Sequence, residues 1–335
     1  MSTRTTRSRS VPEIKYYAAV RDALAEELKA DPTTVLMGED IGAAGGIYAE
    51  THGLQDEFGS NRVLDTPAGE LGFVGAAVGC ALTGLRPIVE ISFADFFPVC
   101  MDQLVNQAAK IRYMSGGQTS VPLTVFSFGG GGLNAGPQHS GTYEAWLGSM
   151  PGLKVVTPAT PRSVKGLMKA AIRDDDPVVV LLHKGLLQVR EEVPEYEEVI
   201  PLGSAEILCP GTELTIVSWS GGVRRAVAAA AALAEIGVDA EVIDLRSIQP
   251  LDVATVAESV RRTHRLLIVQ ETTGFAGIGA ELAAVVVVDA FDYLDAPIER
   301  IAAPFTPVPF SPPLEKAHLP QVEDIVERAK AMVTL

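Results

Sequence analysis

Two residues in the sequence have the chemistry and the setting of proton carriers. Glu70 stands at the start of a long apolar segment, residues 71–84, in which small residues leave one helical face nearly bare. A carboxyl group against an apolar wall has a raised pKa and can exchange a proton near neutral pH. His139 lies in a loop rich in glycine and proline, and imidazole titrates in the same range. The residues alone also fit a plainer interpretation, in which Glu70 only stabilises a helix start and His139 is ordinary surface.

The sequence lacks the signatures of zinc and nucleotide sites. The other histidines have no metal-ligand spacing, and there is no phosphate-binding loop and no serine nucleophile elbow. The glycine run 129–132 follows a predicted strand, but the loop after it does not continue as the helix that would receive a pyrophosphate. The pattern therefore predicts a flexible loop that presents His139.

Two further polar groups allow two interpretations each. His183 and Lys184 end a predicted strand, where they could reach the edge of a site, but the pattern favours exposed surface. The acids Asp174, Asp175 and Asp176 precede a proline, which predicts a solvated turn with a cation site as the alternative.

Composition and charge limit the class of protein. With 335 residues, 47% of them hydrophobic, the chain is long enough for about two domains. A net charge of −15 argues against a nucleic-acid binder, and no apolar run reaches membrane-spanning length. The three cysteines lie far apart and predict reduced residues in a cytoplasmic protein. Residues 1–10, rich in serine, threonine and arginine, predict a disordered tail rather than a transit peptide.

The order of predicted elements indicates an α/β fold with two domains. Strands and helices alternate up to about residue 185, which predicts a mostly parallel, doubly wound sheet. A glutamate-rich segment then precedes a second α/β unit. We predict a first domain over residues 12–187, a linker over 188–203 and a second domain over 204–335. Two local predictions are a helix over residues 102–114 and fraying of the β-branched run 285–288.

Several short motifs occur in an order that resembles one protein family. They lie at residues 38–40, 62–67, 84–87, 93–96, 102–110, 113–117, 138–140, 151–156, 171–174, 242–246 and 306–309. The set is similar to the beta subunit of the thiamine-diphosphate-dependent decarboxylating component of 2-oxoacid dehydrogenase complexes, a group that includes pyruvate, branched-chain and acetoin dehydrogenases. The resemblance runs from roughly residue 13 to residue 333.

The resemblance implies a transketolase-like architecture. The first domain would be the pyrimidine-binding domain and the second the transketolase C-terminal domain. Family enzymes hold Mg²⁺ and the cofactor diphosphate with a Gly-Asp-Gly motif, which this sequence lacks. The resemblance therefore implies that an alpha subunit holds most of the Mg²⁺ site, in an α₂β₂ heterotetramer with thiamine diphosphate between the subunits.

The resemblance also assigns roles to individual residues. Glu70 falls on the glutamate that hydrogen-bonds N1′ of the aminopyrimidine and so promotes removal of the proton at thiazolium C2. Phe96 falls where an aromatic ring packs on the pyrimidine, and Ser92 falls at a neighbouring cofactor position. His139 falls on the histidine that assists acyl transfer to the lipoyl group of an acyltransferase component. A structural potassium site found in some members would comprise Leu123, Ala171, Ile172, Asp174 and Asp176.

The resemblance implies oxidative decarboxylation of a 2-oxo acid, with pyruvate favoured and branched-chain acids next. Departures from the family at residues 68–69, Ser92, Gly141 and the run 129–132 lie near the expected substrate position and leave the identity of the acid open. The alternatives are an acetoin dehydrogenase, a split transketolase-like enzyme that meets no lipoyl domain, and a non-catalytic assembly subunit. The presence of both Glu70 and His139 argues against the last.

Overall fold

The structure is a computed structural model that describes residues 12–194 and 196–334. The predicted tail over residues 1–10 lies outside the described residues. The strands of the described chain are β1 Glu13–Lys15, β2 Thr34–Gly38, β3 Val63–Asp65, β4 Arg86–Phe93, β5 Thr124–Gly129, β6 Lys154–Val156, β7 Val178–His183, β8 Arg190–Glu192, β9 Glu206–Cys209, β10 Leu214–Ser218, β11 Ala240–Asp244, β12 Ser247–Gln249, β13 Leu266–Thr273 and β14 Glu299–Ala303.

Helices connect most of these strands. They are α1 Tyr16–Ala30, α2 Leu54–Phe58, α3 Glu70–Leu82, α4 Phe97–Met101, α5 Ala109–Met114, α6 Glu144–Gly148, α7 Pro161–Arg173, α8 Gly222–Ala234, α9 Val253–Thr263, α10 Ile278–Ala290, α11 Pro312–His318 and α12 Val322–Val333. The predicted two-domain α/β fold is confirmed.

The first sheet is parallel except at one edge. Its strand order is β12-β6-β7-β5-β4-β2-β3, and every neighbouring pair from β6 to β3 is parallel. Helices α1 and α7 pack together over one face, where Ala19, Ala23 and Leu28 are buried. Parallel strands place all their carboxyl ends at one edge of the sheet, which is where ligands bind in open α/β folds.

The second sheet has the order β14-β13-β10-β11-β9 and is parallel except at β9. One apolar core is continuous between the two halves of the chain. It includes Val74 of α3 and Val89 of β4 together with Val217 and Ile243 of the second sheet. The two units are therefore packed tightly enough to position residues of one against residues of the other.

The chain also crosses back between the two units. Strand β12 follows β11 of the second sheet but pairs antiparallel with β6 of the first sheet. Part of the predicted linker is ordered, because β8 pairs antiparallel with β1. The boundaries 12–187, 188–203 and 204–335 stay a prediction.

The helix predicted over residues 102–114 is part of a longer helical segment, and the predicted fraying of residues 285–288 is wrong. The helix predicted over residues 102–114 starts earlier, at Phe97, with Pro98 in its first turn, and passes through a π-helical stretch, Asp102–Ala108. The run 285–288 does not fray, since α10 continues to Ala290. Leu282, Val286 and Ala290 are fully buried there, and this tertiary packing outweighs the weak helix propensity of valine.

Candidate active site

The predicted site residues gather at the carboxyl edge of the first sheet. Ser92 is at the end of β4 and is half-buried, and Phe96 lies in the 3₁₀ turn that follows this strand. Glu70 begins α3 after β3, and His139 lies in the loop after β5. One edge of the fold therefore carries every residue to which a cofactor or catalytic role was assigned.

Glu70 is the first residue of α3 and is half-buried. It is not the helix cap. Gly69 occupies the cap position, and no side chain makes a capping hydrogen bond there. The amide of Gly69 instead donates to Oε1 of Glu39, at the end of β2, over 3.0 Å. This anchor fixes the start of the helix and leaves the Glu70 carboxyl available for another partner.

The Glu70 carboxylate faces the helix that follows Phe96. Burial raises the pKa of the Cys100 thiol in α4 to about 12, and the negative charge of Glu70 adds to the rise. Helices α3 and α4 pack directly on each other. Glu70 and Phe96 are therefore held near one another by two packed elements.

The outer face of α3 is open and built from small residues. Leu71 is 55% exposed, and Gly72, Ala76 and Gly79 are exposed along the same face. A Cβ atom placed on Gly72 or Gly79 would meet no other atom within 4 Å. The predicted bare face thus exists, and it leads from Glu70 along the helix.

His139 is enclosed by aromatic rings. Its imidazole meets the ring of Phe93 edge-on, with centroids 4.6 Å apart, and the ring of Phe96 at 6.0 Å. Phe93 and Phe96 are themselves 6.3 Å apart. The structure therefore brings the predicted acyl-transfer histidine and the predicted pyrimidine-packing ring into one cluster.

The loop that carries His139, residues 130–141, is closed at its base. The amide of Gly130 donates to the carbonyl oxygen of Gly141 over 3.1 Å. The glycines of the run are required by close packing, because a Cβ on Gly130 would lie 2.1 Å from Nε2 of His183, and φ is +79° there. Gly130 thus permits the close approach of the loop to His183, and Gly131 permits its approach to Leu319 of the second unit. The dinucleotide interpretation stays excluded.

His183 and Lys184 contradict the expectation of exposed surface. His183 is 4% exposed and Lys184 is 1% exposed. Nε2 of His183 lies 2.6 Å from Oε2 of Glu271 in β13, and Arg225 of α8 pairs with the other oxygen of that carboxylate. Burial opposes ionisation of Glu271, but the positive charges of His183 and Arg225 outweigh it and lower its pKa to about 2.

The burial of His183 and Lys184 was not predicted, because their position in the sequence does not reveal that the second domain covers them. The available signal was their place directly after a strand of a parallel sheet, since the carboxyl ends of such strands meet at one edge. A histidine and a lysine there face the same crevice as the loop after β5.

The predicted potassium ligands lie together at the opposite, amino edge of the sheet. Nζ of Lys154 lies 2.8 and 2.7 Å from the two carboxylate oxygens of Asp174. Nη1 of Arg86 donates to the carbonyl oxygens of Ile172, at 3.2 Å, and Asp174, at 2.9 Å. Arg112 pairs with Asp176.

The remaining two carbonyl oxygens of this predicted set are bonded within the backbone. Leu123 accepts from the amide of Val178, and Ala171 accepts from the amide of Asp174. The donor set is thus satisfied by side-chain cations and amides of the same chain and does not fit an added ion in this arrangement. The potassium ligands stay a prediction.

No group of three or more histidine, cysteine, aspartate and glutamate side chains in residues 12–194 and 196–334 has a geometry that could hold a metal ion. Every helix in them is too short or too polar to cross a membrane.

Comparison with known proteins gives two family matches. The transketolase pyrimidine-binding domain matches residues 12–190, and the transketolase C-terminal domain matches residues 203–325. A solved structure described as a split-gene transketolase, inactive beta4 tetramer, superposes with a TM-score of 0.78 at 21% identity, over 96% of this chain and 99% of that one. At this identity the likeness shows the fold alone.

Sequence relatives are more specific. The pyruvate dehydrogenase E1 component subunit beta of Rickettsia felis is 46% identical over 95% of this chain and 98% of its own length. The mitochondrial subunit beta-1 of Oryza sativa subsp. japonica is 46% identical over 97% and 88%. The subunit beta of acetoin:2,6-dichlorophenolindophenol oxidoreductase from Bacillus subtilis is 45% identical over 92% and 94%. The chain therefore belongs to the family of beta subunits of thiamine-diphosphate-dependent 2-oxoacid dehydrogenase E1 components, which includes the pyruvate and acetoin dehydrogenase beta subunits.

Proposed function

We propose that the chain is the catalytic beta subunit of an enzyme that oxidatively decarboxylates a 2-oxo acid, pyruvate ahead of branched-chain acids, and passes the acyl group to a lipoyl domain. In this proposal it works in an α₂β₂ heterotetramer with thiamine diphosphate, and the alpha subunit holds most of the Mg²⁺ site. The observation that carries the proposal is the free Glu70 carboxyl at the start of a helix whose outer face is open. A cytoplasmic location stays a prediction.

The residues present fit the aminopyrimidine end of the cofactor. Glu70 offers a carboxyl that no capping bond occupies. Phe96 supplies an aromatic ring in the cluster with Phe93 and His139. The open space over Gly72 and Gly79 admits a flat group or a second backbone. When bound, thiamine diphosphate supplies the electron sink for loss of CO₂ from the acid.

Glu70 would hold a proton at N1′ of the aminopyrimidine. The anchor from Glu39 to the Gly69 amide orients the helix start, so that the carboxyl meets N1′ without reorganisation. Once a second subunit covers the open face of α3, the apolar residues that follow Glu70 would help to exclude water from this hydrogen bond, which would strengthen it.

His139 would act at the second half-reaction. Its ring is held edge-on against Phe93, so one ring nitrogen can be presented to the acyl acceptor at the mouth of the site. The imidazole then supplies the proton that the dithiolane sulfur takes up as its S–S bond opens.

Acetoin cleavage is the second candidate. The relative from Bacillus subtilis, an acetoin oxidoreductase subunit by name, is as similar to this chain as the pyruvate dehydrogenase subunits are. A split transketolase-like activity and a non-catalytic assembly role are weaker candidates, because the similar sequences named above are dehydrogenase and oxidoreductase subunits.

The test is a panel of 2-oxo acids, acetoin and sugar phosphates, assayed with thiamine diphosphate, Mg²⁺ and a dye acceptor on the chain co-expressed with its alpha subunit. We expect turnover of one acid, and we expect Glu70→Gln to lower it about 100-fold or more, because glutamine keeps the shape but cannot hold the proton. The matched control is Glu258→Gln on the exposed face of α9, which should turn over like the wild type.

Three outcomes would contradict the proposal. Turnover of acetoin alone would favour the second candidate, and turnover of sugar phosphates alone would favour a transketolase-like enzyme. Full activity of Glu70→Gln in the assembled complex would remove Glu70 from the chemistry and favour an assembly role.

A further inference from the structure

The His139 loop, residues 130–141, is anchored by carboxylates from both domains. At one end, the amide of Gly141 donates to Oδ1 and Oδ2 of Asp95, at 3.1 and 3.2 Å. Near the other end, the amide of Asn134 donates to Oε2 of Glu315 over 3.0 Å. Asp95 follows β4 of the first sheet, whereas Glu315 lies in α11 of the second unit.

The anchor at Gly141 explains one departure from the family pattern. A Cβ on Gly141 would lie 2.6 Å from Oδ1 of Asp95 and 2.6 Å from the ring of Tyr143. Any side chain at this position would therefore displace the carboxylate from the loop amide. The glycine at this position therefore permits the hydrogen bond between its amide and Asp95, and it need not indicate a wider substrate pocket.

Lys184 is the positive charge that both anchors share. Its side chain is 1% exposed, and Nζ has no hydrogen-bond partner among the described residues. Burial lowers the pKa of Lys184, and the negative charges of Asp95 and Glu315 oppose that change. Oε1 of Glu315 is likewise buried without a partner in the described chain.

The ammonium group also contacts the support of His139. Nζ lies 5.5 Å from the centroid of the Phe93 ring, and His139 meets the same ring edge-on at 4.6 Å. A cation over an aromatic face is attracted by the ring and restrains its orientation. Lys184 thus contacts the imidazole's packing surface and faces both loop anchors.

A plain core role does not account for this arrangement. A buried ammonium with no hydrogen bond is costly, and an apolar side chain of the same length would fill the space without that cost. The negative charges that oppose the effect of burial on the pKa of Lys184 belong to Asp95 and Glu315, whose carboxylates accept hydrogen bonds from the His139 loop.

We propose that Lys184 is a positioning residue for His139. Its charge attracts Asp95 and Glu315, which bind the loop amides of Gly141 and Asn134, and it restrains the Phe93 ring on which the imidazole rests. This inference rests on the proposed function, because the role of His139 in acyl transfer belongs to that proposal. Lys184 would affect acyl transfer but not decarboxylation, because Glu70 and Glu39 make none of the contacts that hold the His139 loop.

The test uses Lys184→Met in the assembled heterotetramer, with Lys184→Arg as the conservative variant. Two partial reactions are compared: dye-coupled decarboxylation, and acyl transfer to a free lipoyl domain. We expect Lys184→Met to keep decarboxylation within about threefold and to lose acyl transfer by about 100-fold, the effect of misplacing a catalytic group by an ångström. Lys184→Arg should recover most of the transfer. Lys169→Met, at another buried lysine far from the loop, is the matched control.

Amide hydrogen exchange in the peptide over residues 130–141 gives a readout that needs no substrate. We expect exchange there to rise about tenfold or more in Lys184→Met and in Glu315→Gln, and to stay at the wild-type rate in Lys169→Met. Unchanged exchange in Lys184→Met would overturn the proposal. An equal fall in both partial reactions would also overturn it, because it would indicate a purely structural role.

The two readouts separate this inference from the proposed function. If the wild-type heterotetramer transfers no acyl group, the proposed function fails. Hydrogen exchange alone then tests whether Lys184 positions the His139 loop. If Lys184→Met does not fold, Glu315→Gln, which removes one anchor charge at constant size, is measured in both assays and decides the same question.

Discussion

The two ends of the candidate active site, one at Glu70 and one at His139, are built in opposite ways. At the Glu70 end, the helix α3 exposes a face of small residues, and the carboxyl has no capping role. At the His139 end, the loop is closed on itself, packed against His183 and anchored by carboxylates of both domains. The Glu70 end is open to solvent, whereas the His139 loop is held by hydrogen bonds within the chain.

This difference indicates which half of the site needs a partner. Apolar surface beside a functional carboxyl is costly in water, and burial under a second subunit removes that cost. The His139 loop, by contrast, is already held by hydrogen bonds and ring contacts within this chain. The His139 end of the site is therefore held by residues of this chain, whereas the Glu70 end has an open face that a second subunit can cover.

The largest effect is expected from filling the open face. Ala76→Leu adds a bulkier side chain to the exposed face of α3, where it would clash with a docked subunit. We expect the affinity for the alpha subunit to fall about 100-fold or more, while the unfolding temperature of the isolated chain stays within about 3 °C of the wild type. Analytical ultracentrifugation and thermal melts measure the two quantities.

Ala231→Leu is the matched control, since it makes the same change on the exposed face of α8. It should assemble like the wild type. Normal assembly of Ala76→Leu would show that the open face of α3 is not an interface, and the contrast between the two ends would then have another cause.

A smaller effect is expected from weakening the closed end. Glu271→Gln removes the carboxylate that His183 and Arg225 hold ionised, with its pKa lowered from 4.5 to about 2. A carboxyl whose pKa is lower in the folded than in the unfolded protein stabilises the fold at any pH above its unfolded pKa. The contribution of Glu271 is therefore present above about pH 4.5 and is lost as the pH falls towards 2. We expect Glu271→Gln to cost about 2 kcal/mol at pH 7 and less at pH 3.

Urea unfolding at several pH values measures this difference. Glu258→Gln, at a glutamate that is 61% exposed, is the control and should change stability by less than about 0.5 kcal/mol at every pH. A cost of Glu271→Gln that stays constant down to pH 3 would show that its charge does not stabilise the contact between the domains.

Sequence patterns predicted the elements well where the local signal and the packing agree. The alternation of strands and helices up to about residue 185 predicted a mostly parallel sheet, and β2 to β7 do pair in parallel. Short strands such as β12 were not predicted, because three residues carry little periodicity and their pairing partner comes from the other sheet.

The candidate site was predictable only in part. Glu70 and His139 are weak candidates by pattern alone, and the resemblance to a family gave them their roles. Lys184 and Glu315 were not selected, because their importance depends on burial and on the proximity of residues about 90 or more positions apart. Such contacts arise from the packing of the two domains, and no local rule of sequence specifies them.

The most direct measurement is calorimetric titration of thiamine diphosphate, in the presence of Mg²⁺, into three samples: this chain alone, the alpha subunit alone, and the two together. If the Glu70 end is the unfinished half of the site, specific binding should occur only in the mixture, and Ala76→Leu should abolish it. Stoichiometric binding to this chain alone, with the affinity of the mixture, would contradict a site completed by a second subunit.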